Sequence, residues 1–119
     1  MSLSQIKLKK FTLIDFWFHS CGPCIEQFTG LKKMYAKFIN KNFEIIGIAV
    51  DKERYELKWR ETIEKYGLPW PQYWDIDGAN CSKYQIGKFP FNFLLNEKGE
   101  IIAKNIDLKT LNVFLDKNL

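Results

Sequence analysis

Two cysteines separated by Gly22 and Pro23 are the residues of this chain whose types and spacing best suit chemistry. Cys21 follows an apolar run and directly precedes an amphipathic pattern, so we expect it where a helix starts. The first amide groups of a helix are unpaired and partly positive, which lowers the pKa of a cysteine placed there. Cys24 is near enough to close a disulfide with Cys21. The spacing therefore predicts a nucleophilic thiolate and a second thiol that can release what the first captures.

An acidic residue inside the preceding apolar run is the next candidate. Asp15 lies within Phe11–Phe18, where a charge is costly, so burial should raise its pKa. We predict that Asp15 helps to deprotonate Cys24, directly or through a water molecule. The alternative is an acid that faces a solvated edge or that structural hydrogen bonds satisfy.

The remaining reactive side chains have less sequence context. His19, the only histidine, could add positive charge near Cys21, but we favour a surface loop histidine. For Cys81 we favour a small buried residue in a short helix over a third redox thiol. Two inert cysteines are disfavoured, because Gly-Pro at a helix start should expose one of the pair. A Cys₃His zinc site of His19, Cys21, Cys24 and Cys81 is disfavoured, because its second half lacks paired spacing.

Composition limits the class of protein. With 119 residues, 46% of them hydrophobic, the chain is expected to form one ordered domain over residues 1–119. The net charge of +4 comes from scattered lysines, so nucleic acid is not an expected partner. No membrane-spanning run or signal peptide is visible. Met1–Leu3 could be an expression scar, in which case an upstream signal or anchor would have been cut away.

Hydrophobic periodicity predicts alternating strands and helices. Two buried strands on either side of a long helix indicate a right-handed parallel crossover. Asp51 is predicted to cap the second helix, and Asp107 the last one. The predicted elements are strands at 11–18, 43–50, 89–95 and 100–105, and helices at 22–39, 53–66, 79–84 and from 108 onward.

This order of elements, with Cys-Gly-Pro-Cys after the first strand, resembles the thioredoxin-like superfamily. The additional helix and loop at about 51–74 are more similar to TlpA/ResA-type thiol–disulfide oxidoreductases than to plain thioredoxin. The resemblance is strongest at 15–24 and 89–102. It implies an α/β fold in which helices flank a central mixed sheet. It also implies that Cys21 and Cys24 reduce or exchange disulfides of protein substrates, with no cofactor beyond this redox-active pair, and it gives Asp15 the proton-transfer role.

The same resemblance locates a docking surface for substrate. It places a cis-proline at Pro90, facing the dithiol, with Gly22, Pro23 and Phe89 beside it. Ser20 and Phe89 depart from the Trp and the Thr or Val that are usual at these positions. A further set of aromatic residues could form an apolar groove for an extended peptide, or equally a satellite core: Trp70, Tyr73, Trp74, Phe89 and Phe91. Of these, Trp70 and Phe89 are predicted to contact substrate.

The implied setting is outside the cytoplasm. TlpA/ResA-type proteins are periplasmic or otherwise extracytoplasmic reductants, anchored or soluble, that receive electrons from a membrane or thioredoxin-type donor; the cytoplasm is the alternative. Two other functions stay open. One is a peroxiredoxin-like peroxidase, although Ile14–Cys21 lacks the Pro-x-x-x-Thr-x-x-Cys frame. The other is a non-catalytic thioredoxin-fold module that binds peptides.

Overall fold

The structure of the chain, a computed structural model, describes residues 6–75 and 78–119. Residues 1–3, interpreted above as an expression scar, lie outside this part. The elements in chain order are β1 (Phe11–Trp17), α1 (Gly22–Phe38), β2 (Phe43–Ala49), α2 (Glu56–Tyr66), β3 (Gln72–Trp74), α3 (Ala79–Lys83), β4 (Phe91–Asn96), β5 (Ile101–Lys104) and α4 (Leu108–Asn118). Short 3-10 turns at Ile39–Lys41 and Glu53–Tyr55 follow α1 and precede α2.

The strands described form one mixed sheet in the order β3-β2-β1-β4-β5. β1, β2 and β3 are parallel to one another, whereas β4 runs antiparallel to β1 and β5 antiparallel to β4. β1 occupies the centre and is buried along its whole length, as an apolar run without polar alternation predicts. The predicted α/β fold with a central mixed sheet is therefore confirmed.

Alternation along β1 divides the core between the two faces of the sheet. Leu13 and Trp17 pack on one face with α1 and α4, in a cluster that contains both Cys21 and Cys24. Ile14 and Phe16 pack on the opposite face. The cysteine pair is thus fastened to one face of the sheet, at the end where β1 stops and α1 begins.

The region near 51–74 contains the additional helix that the pattern predicts. A 3-10 turn leads into α2, which buries Trp59 and ends at Gly67, whose φ of 57° suits a residue without a side chain. β3 then pairs with β2. Among the described helices, none combines the length and the apolar character that crossing a membrane requires.

A buried asparagine joins β4 to the loop before α4. Asn92 is 5% exposed, and its amide both donates to the Ile106 carbonyl at 2.9 Å and accepts from the Ile106 N–H at 3.0 Å. This side chain therefore satisfies both backbone groups of one loop residue.

Asn92→Ala is expected to lower the free energy of unfolding by about 1–2 kcal/mol, because it leaves two partly buried backbone groups of Ile106 unpaired. Urea unfolding followed by tryptophan fluorescence measures this loss. The control is Asn40→Ala, since Asn40 is exposed, and its effect should stay below about 0.5 kcal/mol. Equal effects of the two substitutions would contradict the assigned role of Asn92.

Candidate active site

Cys21 and Cys24 form a disulfide at the start of α1, with their Cα atoms 5.3 Å apart. Cys21 is the N-cap residue, with extended backbone, and its Sγ accepts a hydrogen bond from the Cys24 N–H at 3.2 Å. Gly22 and Pro23 occupy the first helical positions, where the N–H that proline lacks would be unpaired anyway. The sequence thus folds locally so that the first sulfur lies at the partly positive end of a 17-residue helix.

The charges of the first turn favour a thiolate at Cys21. The first turn of α1 contains no acidic residue, so no carboxylate within that turn opposes a negative sulfur. The Cys24 N–H that reaches Cys21 Sγ in the disulfide is one of the helix donors without an intrahelical partner. The same donor can stabilise the sulfur when it is reduced and ionised.

Both cysteines are less exposed than the sequence suggested. Cys21 is 4% exposed and Cys24 2%, because both pack into the cluster between α1 and the sheet. The expectation that Gly-Pro exposes one of them is therefore wrong for this oxidised form. Gly22 and Pro23 themselves are exposed, and a methyl group built on Gly22 would meet no atom within 4 Å. The space around Gly22, which follows Cys21 in the chain, is therefore open.

Asp15 lies on the sheet face that the cysteine pair also occupies. It stands between Leu13 and Trp17, which pack in the same cluster as Cys24. Asp15 is 3% exposed, and burial raises its pKa to about 8. Within the described part of the chain, no cation forms an ion pair with this carboxyl group. A carboxyl group with this pKa can exchange a proton near neutral pH, as the predicted role requires.

The loop before β4 carries the predicted cis-proline. The Phe89–Pro90 peptide bond is cis, and β4 begins one residue later than this proline. The Phe89 ring packs edge to face on Phe18, with ring centroids 5.5 Å apart. Since the Phe18 carbonyl accepts the Cys21 N–H at 3.1 Å, Phe89 contacts the turn that carries the nucleophile.

Trp70 is not at this surface, contrary to its predicted contact with substrate. It is 3% exposed and packs on Tyr35, with ring centroids 5.7 Å apart. Tyr35 lies about four turns along α1 from Cys21. Trp70 is therefore a core residue. Trp74 likewise packs on Trp59 in a stacked pair, so the satellite-core reading holds for these two aromatic residues.

His19 and Asp51 form a contact that the sequence analysis missed. The His19 Nδ1 atom lies 2.5 Å from Asp51 Oδ1, and the His19 N–H donates to Asp51 Oδ2 at 3.1 Å. His19 does lie in a turn, as its favoured reading has it, but its side chain is only 18% exposed and is held by Asp51. The reading of Asp51 as a helix cap is wrong, because the cap position before the 3-10 turn belongs to Lys52. Strand register could have revealed the pair. Trp17 pairs with Ala49, and two residues further on the same register brings His19 beside Asp51.

Cys81 is separate from this site. It is 4% exposed and packs in the cluster on the opposite face of the sheet. Burial, together with the nearby Asp75 carboxylate, raises its pKa to about 12, so it stays a thiol at neutral pH. The favoured reading of Cys81 as a buried residue is confirmed. Within residues 6–75 and 78–119, no group of three or more potential ligands could hold a metal ion, so the Cys₃His arrangement is not formed.

A mixed sheet of this order, with a disulfide at the N-terminus of the helix after its central strand, defines a thioredoxin-like protein with a dithiol site. The chain belongs to the AhpC/TSA family, which matches residues 1–104. The resemblance to TlpA/ResA-type proteins is also confirmed by the relatives found among curated proteins and solved structures.

Three of these relatives show the extent of the similarity. Thiol-disulfide oxidoreductase ResA of Bacillus cereus is 28% identical over 110 residues, which cover 89% of this chain and 62% of ResA. The thioredoxin domain of a thiol-disulfide oxidoreductase from Bacteroides vulgatus is 32% identical, with a TM-score of 0.84, over 98% of this chain and 84% of that domain. A thiol-disulfide oxidoreductase from Bacteroides fragilis is 32% identical, with a TM-score of 0.81, over 92% of this chain and 82% of the Bacteroides fragilis chain. The chain therefore spans less than two thirds of the length of the ResA relative.

Proposed function

We propose that this chain is a thiol–disulfide oxidoreductase that reduces or exchanges disulfides of protein substrates through Cys21 and Cys24. The observation that carries the proposal is the Cys21–Cys24 disulfide at the start of α1, with Cys21 Sγ held by a helix N–H. The names of the ResA and Bacteroides relatives support the same activity. The redox group is the cysteine pair itself, so the reaction needs no further cofactor.

The reaction proceeds in two exchange steps. The reduced Cys21 thiolate attacks one sulfur of a substrate disulfide, forms a bond to it, and expels the other substrate sulfur, which takes a proton. The Cys24 thiolate then attacks Cys21 Sγ and expels the first substrate sulfur as a second thiol. The substrate gains two electrons and two protons, and the chain is left with the Cys21–Cys24 disulfide. An external dithiol donor then reduces the Cys21–Cys24 disulfide by two exchanges of the same kind and is itself oxidised to a disulfide.

Asp15 serves the second step. Cys24 is buried and must lose its proton before it can attack. Asp15 lies on the same sheet face between Leu13 and Trp17, which pack in the cluster that contains Cys24, and burial raises the pKa of this carboxyl group to about 8. In its ionised form Asp15 accepts the Cys24 proton, directly or through a water molecule, and then passes that proton to solvent.

The docking surface lies on the open side of the disulfide. Gly22 and Pro23 are exposed, and Phe89 and Pro90 are partly exposed on the loop that packs against Phe18. An extended substrate chain laid along this edge brings its disulfide to Cys21. We place the protein outside the cytoplasm, where a membrane or thioredoxin-type donor supplies electrons, as the similarity to ResA supports.

Insulin reduction by dithiothreitol tests the activity. The chain should accelerate the appearance of turbidity, Cys21→Ser should abolish that acceleration, and Cys81→Ala, which removes the thiol on the opposite sheet face, should retain it. Hydrogen peroxide consumption in place of insulin reduction would instead indicate the peroxidase. Peptide binding without either reaction would indicate a binding module, and both outcomes would overturn the proposal.

A further inference from the structure

A buried carboxylate holds the histidine that lies two residues before the nucleophile. Asp51 lies two residues after the end of β2 and is 4% exposed. Its carboxylate accepts the backbone N–H of His19 and contacts Nδ1 of the His19 imidazole. His19 itself lies within the turn that the Cys21 N–H closes on the Phe18 carbonyl. His19 and Cys21 are two residues apart, so their Cα atoms lie within about 7.6 Å of each other, and a charge on the imidazole lies near Cys21.

This contact determines which imidazole nitrogen carries the proton of the neutral ring. An ionised carboxylate only accepts hydrogen bonds, so Nδ1 carries a proton and donates it to Asp51. In the neutral ring the lone pair is therefore on Nε2. Within the described residues no hydrogen bond to Nε2 is formed, and the side chain is 18% exposed, so this nitrogen can exchange protons with solvent. Asp51 thus fixes the tautomer and leaves one nitrogen available to gain or lose a charge.

An aromatic ring, a guanidinium group and a carboxylate surround the His19 imidazole, and the balance of charge among them depends on whether His19 is protonated. The Tyr55 ring lies against His19 with centroids 4.8 Å apart, and the Arg54 guanidinium lies over the Tyr55 ring, also at 4.8 Å. Asp51 is the carboxylate that contacts the imidazole. When His19 is protonated, its charge cancels that of Asp51. When His19 is neutral, no cation among the described residues forms an ion pair with the buried Asp51 carboxylate beside the turn that carries Cys21.

We propose that the His19–Asp51 pair is a proton-linked switch of Cys21 reactivity, an inference that rests on the proposed function of Cys21 as the nucleophile. The protonated pair is neutral and favours the Cys21 thiolate. The deprotonated pair is negative and opposes it. His19 and Asp51 are positioning residues, because they act on the ionisation of Cys21 and do not themselves form or break a sulfur bond.

Alkylation of Cys21 by iodoacetamide in the reduced protein, read by mass spectrometry, tests the switch. At pH 6, His19→Gln should slow alkylation about threefold or more, since one charge about 7 Å away has that effect even in water and both Asp51 and Cys21 are buried. At pH 9, where the native pair is negative as well, the two proteins should react at the same rate. Adding Asp51→Asn to His19→Gln should restore the native rate at pH 6, because it removes the uncompensated charge. A slowing that is equal at both pH values, or that Asp51→Asn does not restore, would overturn the proposal.

Two further measurements separate charge from structure. Lys52→Gln removes an exposed cation that adjoins Asp51 in sequence, and it should leave the alkylation rate within about 1.5-fold of the native rate at this exposed position. Because the chain has a single histidine, ¹⁵N NMR reports the imidazole without ambiguity. The neutral ring should be protonated on Nδ1, and its titration curve should lie at higher pH in the reduced protein than in the oxidised one, because linkage is reciprocal. Identical curves in the two redox states, or a neutral ring protonated on Nε2, would contradict the switch.

Failure of the switch and failure of the proposed function give different results. Insulin reduction that depends on Cys21, together with alkylation that does not depend on His19, would refute only the switch. Alkylation that depends on His19 without insulin reduction would refute only the activity.

Discussion

Cys24→Ser protein is expected to accumulate a covalent complex with its substrate through Cys21. The first exchange step needs only the Cys21 thiolate, whereas release of the substrate needs the second thiol three residues away. Because Cys24 acts within the same molecule, an external thiol at millimolar concentration replaces it poorly. Turnover should fall on the order of 100-fold or more. Non-reducing electrophoresis with an unfolded, disulfide-bonded substrate detects the complex, and mass spectrometry locates the linkage.

The matched controls are the other two cysteines. Cys21→Ser should form no complex, and Cys81→Ala combined with Cys24→Ser should form as much as Cys24→Ser does. Cys81 is buried on the opposite sheet face, and the raised pKa of its thiol keeps it unreactive. A complex linked through Cys81, or undiminished turnover in Cys24→Ser, would contradict the assigned roles.

Asp15→Asn is expected to stabilise the oxidised protein at alkaline pH and to leave its stability unchanged at acid pH. Burial raises the pKa of Asp15 from 3.8 to about 8, so between these values the folded chain binds a proton that the unfolded chain does not. The free energy of unfolding of the native protein therefore falls as pH rises through this window. The amide of Asp15→Asn does not ionise, so the variant lacks this pH-dependent fall in the free energy of unfolding. Above pH 8 the variant should be more stable by on the order of 5–6 kcal/mol, and near pH 4 the two proteins should be alike.

Urea unfolding at pH 4, 6 and 9 under oxidising conditions measures this difference. Asp116→Asn is the control, because Asp116 is 48% exposed and forms its ion pair with the exposed Lys37 on the surface. Its effect should stay below about 1 kcal/mol at every pH. A constant difference between Asp15→Asn and the native protein across this range would contradict a buried carboxyl group that titrates near pH 8.

The same substitution should slow release of substrate. An asparagine side chain in place of Asp15 cannot take the Cys24 proton, so the mixed disulfide at Cys21 should persist at least about tenfold longer near pH 7. Attack by Cys21 on the substrate should be unchanged. Stopped-flow measurement of the two steps separates them, and an equal slowing of both would contradict the assignment of Asp15 to Cys24.

The parts of the fold that the sequence predicts are those with strong local patterns. Phe11–Phe18 is apolar without alternation, and β1 is buried on both faces. The apolar spacing after Gly22 predicts α1, and Cys21 caps it. These features depend on neighbours in the chain, so a single sequence is enough to place the cysteine pair at the start of a helix.

The errors concern side chains whose surroundings come from distant parts of the chain. Asp51 has the residue type and position of a helix cap. However, the parallel strands β1 and β2 end side by side, and the Asp51 carboxylate accepts a hydrogen bond from His19 in the segment that follows β1. Trp70 lies in an irregular segment with no periodicity to indicate its orientation, and it packs on Tyr35. The burial of Cys21 likewise depends on how α1 packs against the sheet.

Alkylation kinetics of Cys21 in the fully reduced native chain, compared with the same residue in the urea-unfolded chain, test most directly that this sulfur is an activated nucleophile. At pH 6.5 the native residue should react about fourfold faster or more, because a larger thiolate fraction outweighs the lower nucleophilicity of a stabilised thiolate. The advantage should shrink as pH approaches 9. A native Cys21 that reacts no faster than the unfolded residue between pH 6 and 8 would contradict the proposed chemistry.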